Sequence, residues 1–294
     1  MGKVGIVAIA KNEEKYITDW ALYHYKLGFD KIFIIDNNDL DNDGQMKVIT
    51  NLQQSKYEIY PVDARGREKL EQLGFQDGSY LRTYNYIKEN HKDIEWLAYI
   101  DLDEYFDFDG LNVKEFLNQD KFKKTDLIHV NWKLYGDNDQ VYYEPRPVIE
   151  RFTRPAPMDV LYNTYTMGKG YYHNQHVKSI IRVTDKEFVF CTPHTVIFKE
   201  ESKCMNVEGG IEDGNIPIQN VNWNGGHLKH FITKSTEEFI ERKLRNNPRA
   251  DSKTVYNVFK EELDSYFNIN IKTHTKMSLI EERIIQNSNL KQES

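Results

Sequence analysis

Apolar and polar positions along this chain fall into blocks whose period changes, and each change marks an element. Residues 4–10 form a continuous apolar run that ends in Lys11-Asn12-Glu13-Glu14, the pattern of a strand buried on both faces with polar groups at its carboxyl end. Residues 13–27 follow with Ile17, Trp20, Ala21, Tyr23, His24 and Leu27 near a 3.6-residue spacing, and Gly28 stops the predicted helix. A second buried strand over 31–35 runs into Asp36-Asn37-Asn38, and a weaker one covers 57–62. A helix over 79–90 places Tyr80, Leu81, Tyr84 and Ile87 on one side, and a strand over 96–100 leads into Asp101-Leu102-Asp103-Glu104. Strand and helix alternating in this way predict an α/β fold, with a mixed, mostly parallel central sheet flanked by helices.

From about residue 127 the pattern loosens into strands over 128–134, 177–183, 188–191 and 195–199. The chain then turns helical over 235–245, where Ser235 and Glu238 form a capping box. Helical stretches over 252–267 and 277–287 complete a C-terminal extension, and the polar tail 288–294 is expected to fray. The expected organisation is a main domain over 1–234 with a helical extension over 235–294 packed on it.

Composition changes this picture in three ways. Hydrophobic residues are only 39% of the 294, while Tyr reaches 19 and Phe 15, so much of the core must be aromatic. The balance of 39 basic against 46 acidic side chains, −7 in all, argues against a broad nucleic-acid surface, which needs clustered Lys and Arg to displace counterions. Two cysteines, Cys191 and Cys204, cannot build a disulfide framework or a cysteine zinc site and suit a reducing compartment. The first apolar run is too short for a signal peptide or a membrane span and no later run qualifies, so a cytoplasmic chain with no transmembrane segment is expected.

Ligands of parallel sheets bind at the carboxyl ends of the strands, which directs attention to Asn12, Glu13, Asp36, Asp101 and Asp103. Asp101 and Asp103 at i and i+2 would share a face if the strand continued, and could bridge a hard cation such as Mn²⁺ or Mg²⁺ to a diphosphate. An acidic loop that merely solvates a strand end is the plain alternative. A phosphatase-type Asp-x-Asp is a second, although Tyr105 stands where that chemistry usually places Thr or Val. Asp39 to Gly44 imitates the start of a calcium loop, but Thr50 replaces the bidentate Glu at its twelfth position, so a solvated turn is expected. His227 and His230 beside Gly225-Gly226, and more weakly His194, could complete a metal site or sit in a core. Lys178 and Arg182 on one strand face could meet a phosphate or an ordinary solvated edge. No Walker loop, Rossmann glycine fingerprint, serine-hydrolase elbow or His-Glu-x-x-His helix occurs.

Four ordered motifs resemble something more specific: Ala10-Lys11-Asn12-Glu13 with Trp20-x-x-Tyr23-His24-x-x-x-Gly28; Ile35-Asp36-Asn37-Asn38; Trp96-x-x-x-Ile100-Asp101-x-Asp103-Glu104; and Leu228-x-His230-Phe231-x-x-Lys234-Ser235-x-Glu237-Glu238-Phe239. Together, over about residues 4–245, they resemble the family-2-like and family-92 glycosyltransferases of the GT-A fold, the galactan-synthase-related group. The resemblance implies a nucleotide-sugar-dependent transferase with a UDP-linked donor, galactose being the family-level expectation. Asn12, Glu13 and Asp36 would hold the nucleotide with Asp101 and Lys178. Asp101, Asp103 and His230 would ligate Mn²⁺ or Mg²⁺. Transfer would be inverting, to a glycan or lipid-linked glycan acceptor at a possible peripheral membrane contact. Relatives often follow their Trp with Phe-Gly-Ser-Ser-Gly, whereas here Trp132 leads to Tyr135-Gly136-Asp137-Asn138-Asp139. Among Asp137, Asp139, Glu208 and Glu212, Asp137 is taken as the general base because it follows a strand and a glycine. A sugar- or nucleotide-binding protein without turnover remains the non-enzymatic reading.

Overall fold

The computed structural model describes residues 1–66, 74–162, 171–214, 216–218, 220–245 and 262–290. They divide into two compact units, 1–132 with 175–229, and 133–174 with 230–294. The boundary expected at 234/235 falls inside the second unit, because 133–174 leaves the first and bonds within the second: the Tyr135 amide donates to the His230 carbonyl and the Leu134 amide to Asn174 Oδ1, both at 3.0 Å.

The first unit is built on strands β1 (Lys3–Ala10), β2 (Lys31–Asp36), β3 (Ile59–Asp63), β4 (Ile94–Tyr99), β5 (Glu104–Asp107) and β6 (Leu127–Leu134). Across the main sheet the order is Ile211–Glu212, Cys204–Asn206, β6, Val177–Arg182, β4, β1, β2, β3. β1 lies parallel between β2 and β4, with Val7 opposite both Phe33 and Tyr99. Val177–Arg182 runs antiparallel to both β4 and β6, so the sheet is mixed and mostly parallel, as expected. The shared direction of β1, β2 and β4 sends Ala10, Asp36 and the segment after Tyr99 to one edge.

Among the described residues this unit carries the α-helices α1 (Glu14–Lys26), α2 (Gly44–Gln53), α3 (Phe75–Asn90) and α4 (Val113–Leu117). α1 buries Tyr16, Ile17, Trp20, Ala21 and His24, and Gly28 ends it at φ 102°, a left-handed conformation that favours glycine. The Trp20 indole donates to the Glu104 carbonyl at 2.9 Å and the Tyr23 hydroxyl to that of Phe106 at 2.6 Å. These two bonds fix β5, and with it the segment behind the Asp-x-Asp. His24 sits among them with Nδ1 against the Trp20 carbonyl and Nε2 accepting from the Phe106 amide. Burial lowers its pKa to about 3, so it stays neutral.

Helices α2 and α3 differ from the sequence reading. The polar turn at 39–44 runs on into α2, where Gln45 and Ile49 are buried; Val48, Ile49 and Leu52 carry the helical spacing that the dense Asp run conceals. α3 begins at Phe75 instead of 79, which brings Gln76 and Asp77 into its first turn. The core is as aromatic as the composition requires. Phe106, Phe108 and Phe116 stack in series at centroid distances of 5.2 and 4.3 Å, while Tyr80, Tyr84, Tyr99, Phe188 and Phe190 fill the region around α3.

In the second unit, Thr236–Arg245 is capped as predicted: the Ser235 amide donates to Glu238 Oε2 and the Glu238 amide to Ser235 Oγ. Glu238 also forms a doubly bonded, fully buried pair with Arg151 at 2.8 and 2.9 Å. Phe239, Ile240, Tyr266, Leu279 and Ile280 form an apolar cluster in this unit, joining Thr236–Arg245 to the helical residues 262–269 and to His274–Leu290. Of the predicted helix over 252–267 the part 252–261 lies outside the described residues, as does 291–294 of the tail. Among the described residues, no helix is long and apolar enough to cross a membrane.

Candidate active site

At the carboxyl ends of β1 and β2, three of the predicted residues join one hydrogen-bonded lattice. The Asn12 amide donates to Asn38 Oδ1 at 2.7 Å and the Glu13 amide to Gln45 Oε1 at 2.9 Å. Gln45 Nε2 donates to the Ala10 carbonyl and, at 2.6 Å, to Asp36 Oδ1, which also receives the Asn38 amide at 3.0 Å. Asn12 holds a left-handed φ of 56°, a strained conformation for a residue with a Cβ, and Asn42 Nδ2 secures its side chain at 3.0 Å. Asp36 presents no surface of its own. Its Oδ2 is buried and lies 3.9 Å from the Arg65 guanidinium, which forks onto Asp63 at the end of β3. Gln45 was not legible as a site residue because α2 itself was missed; Asn38 stood in the strand-end motif without being chosen, and Arg65 follows the weaker third strand.

The second cluster forms after β4. The strand ends at Tyr99, so the premise that it carries Asp101 and Asp103 in extended form does not hold. The chain turns instead, closed by the Asp101 amide on Glu104 Oε2 at 2.7 Å and the Glu104 amide on the Asp101 carbonyl at 3.1 Å. Both aspartates keep partial exposure at this turn while Glu104 is fully buried. Lys178, also fully buried, reaches Asp101 Oδ2 at 2.7 Å and Glu104 Oε2 at 3.8 Å. Burial alone would depress the lysine's pKa; the charges of Asp101 and Glu104 outweigh it and raise it. Glu104 is pushed well above the carboxylate range by burial, against the pull of Lys178. From α3, Gln76 Nε2 donates to Asp101 Oδ1 at 3.2 Å and to the Tyr80 hydroxyl at 3.1 Å. Gln76, Asp77 and Glu104 are thus additions to the predicted set. Glu104 was within reach of the motif, but Gln76 and Asp77 depended on where α3 begins.

The other candidates separate. Arg182 pairs with Glu95 and lies over the Trp96 ring at 4.1 Å, at the opposite end of β4 from Asp101. Four residues of strand span about 13 Å, so sharing a face with Lys178 does not bring it to the same edge. His194 places Nδ1 at 3.0 Å from the Val177 carbonyl and rings against His176 and Trp132. Burial, with Lys178 and His176 beside it, lowers its pKa to about 3. His227 lies on a short strand paired with β5, 4.0 Å from Asp107, which Lys229 holds at 2.8 Å. His230 belongs to the second unit, buried, near enough to His173 to help lower that residue's pKa to about 4 after burial has done most of it. Asp137 is 2% exposed. Lys276 pairs with its Oδ2 at 2.6 Å, Tyr266 donates to the same oxygen, and its amide donates to Asn270 at 2.6 Å. Among the described residues no three His, Cys, Asp or Glu side chains gather as a metal site. The donor set at the turn still suits a hard cation, since it is all carboxylate and the acids around Lys178 outnumber it: Asp101, Asp103 and Glu104 all act on its charge.

No protein-family model matches the chain. Over 105 residues it is 25% identical to a glycosyltransferase family 92 protein of Oryza sativa subsp. japonica, a match covering 36% of this chain and 16% of that protein. A second family 92 protein, of Ricinus communis, is 29% identical over 115 residues, 37% of this chain and 18% of that one. The chain is similar to family-92 glycosyltransferases. The resemblance read from its motifs is borne out, although the chain spans less than a fifth of the length of these two relatives. Among solved structures, the mannosyltransferase PcManGT from Pyrobaculum calidifontis, in complex with GDP-Man and Mn2+, overlaps 54% of this chain and 48% of its own at 13% identity and a TM-score of 0.31. An overlap that slight bears on neither the fold nor the ligands of this chain.

Proposed function

We infer that this family-92-like chain is a GT-A-type glycosyltransferase that moves a sugar from a nucleotide sugar to a glycan acceptor. The observation that carries the reading is the turn at Asp101 and Asp103: partly exposed carboxylates at the carboxyl end of a parallel strand, on a charge cluster that one buried lysine does not balance. The similarity to family-92 proteins favours transfer over phosphoester hydrolysis at the same turn. A divalent cation such as Mn²⁺ or Mg²⁺, held by Asp101 and Asp103, would supply Lewis-acid stabilisation of the departing diphosphate.

The chain's own residues do the rest in this reading. The lattice around Asp36 and Gln45 holds the ends of β1 and β2 rigid, so that the nucleoside meets preorganised polar groups. Lys178 keeps Asp101 in one orientation. A carboxylate on the acceptor side takes the hydroxyl proton as the acceptor oxygen bonds to the anomeric carbon and the bond to the diphosphate breaks, a single inverting displacement. The donor is UDP-linked, with galactose the first sugar to try, and the setting is the cytoplasmic face where a lipid-linked acceptor would be met.

The test is release of nucleoside diphosphate from a panel of nucleotide sugars with Mn²⁺ and a glycan acceptor, on wild type and Asp103→Ala. Acceptor-dependent release by the wild type alone supports the reading. Nucleotide binding without any turnover would leave a binding protein, and phosphate release from simple phosphoesters would leave a hydrolase.

A further inference from the structure

The first turn of α3 faces the Asp101 cluster, and Gln76 shows it by bonding Asp101 and Tyr80 together. The next residue, Asp77, has no such partner. It lies in the first turn of the helix, whose N-cap is Gly74 and so offers no side-chain cap. Its Oδ1 is buried and accepts no hydrogen bond from any described residue. Burial pushes its pKa up while the charge of Lys178 pulls the other way, so Asp77 feels the same lysine as Asp101, Asp103 and Glu104. A buried carboxylate oxygen without a donor is unfavourable for the folded chain. The arrangement makes sense if the donor arrives with a ligand.

We propose that Asp77 accepts a hydrogen bond from a hydroxyl of the nucleotide-sugar donor, and so adds a donor-recognition residue to the Asp-x-Asp turn; this rests on the glycosyltransferase reading. A hydroxyl fits better than a phosphate, which would meet four carboxylates around one lysine. It also fits better than an amine, which would compete with the divalent cation that Asp101 and Asp103 would hold in this reading. Ribose and the transferred sugar both offer hydroxyls of this chemistry, and binding measurements separate them.

The experiment is calorimetric titration of UDP, GDP, UDP-galactose and GDP-mannose, each with Mn²⁺, into wild type, Asp77→Ala and Asp77→Asn, with melting temperatures recorded alongside. Asp77→Ala is expected to weaken the nucleotide that the wild type binds by about tenfold or more, and Asp77→Asn, which keeps a carbonyl acceptor, to recover most of it. Equal loss for the free diphosphate and its sugar conjugate assigns the ribose; loss confined to the conjugate assigns the sugar. Unchanged affinity with a lower melting temperature would make Asp77 only a helix-terminus charge and overturn the proposal, as would Asp77→Asn behaving like Asp77→Ala. A wild type that binds none of the four would fail the glycosyltransferase reading first, and this proposal with it.

Discussion

Among the described residues, two lysines with no exposed side-chain surface each pair with an aspartate that the sequence singled out. Lys276 meets Asp137 at 2.6 Å and Lys178 meets Asp101 at 2.7 Å. The pairs are alike in distance and opposite in setting. The Asp137 side chain is 3% exposed; Lys276 is also 3.6 Å from Asp139, but Arg154 pairs with that second carboxylate at 2.5 Å, so two cations face two carboxylates. Asp101 is 34% exposed, and its lysine is shared with Glu104 at 3.8 Å and with the field of Asp103. A closed, neutralised pair does structural work; an open pair with acid in excess has charge left to offer a ligand.

The sharpest way to break that contrast is to remove each lysine. Lys276→Met leaves Asp137 stranded away from water, and urea unfolding should show a loss of about 3–5 kcal/mol. Lys178→Met should lose distinctly less, because Asp101 can turn toward solvent and Glu104 can take up a proton. Equal losses would remove the distinction between the two pairs.

Next in size is Asp103→Ala, expected to cut transfer by about a hundredfold, or ~2.7 kcal/mol of barrier, with the unfolding midpoint little changed. Retention of wild-type Mn²⁺ dependence in this variant, read by titrating the metal against donor binding, would remove the metal from the turn.

Asp36→Ala tests the neighbouring lattice and should weaken UDP binding by roughly 1.5–3 kcal/mol. Since Asp36 is buried, the loss would come through Gln45 and Asn38, so Gln45→Ala should weaken UDP binding in the same direction. Unchanged calorimetric affinity in both variants would detach the lattice from the nucleotide.

The last test concerns acid. His24 and His194 are held neutral by burial down to about pH 3, and His129 and His173 to about pH 4. Their folded pKa values lie below the unfolded value near 6.5, so the unfolded chain binds more protons as pH falls. Stability is therefore full above about pH 6.5 and declines from there toward pH 3–4, by about 2 kcal/mol at pH 5 for His24 alone. Urea midpoints that stay flat between pH 7 and 5 would contradict this, and histidine NMR would show which ring had charged.

The parts of the molecule readable from the sequence are those where local pattern and tertiary demand agree. β1, β2 and β4 announced themselves as apolar runs with polar endings because a parallel strand is buried on both faces. α2 did not, since Asp39 to Asp43 satisfies every rule for a turn and the helix begins only at Gly44. Asp101 and Lys178 were each chosen as site residues, but no local rule pairs groups 77 positions apart. His227 and His230 are the two ends of one short strand, where positions three apart point to opposite faces, which their spacing does not reveal until the strand itself is known.

The origin of Lys178 also bears on how the protein is made. Translation delivers β1, β2 and β4 early, yet the antiparallel strand that carries Lys178 emerges 77 residues after Asp101, about 4–15 s later at ribosomal speeds of roughly 5–20 residues per second. Until then the growing chain holds its acidic turn with no counter-charge and an uncovered edge on β4. Assembly of the site is thus a late event during synthesis, and the young polypeptide must keep that edge from other strands until its own arrives.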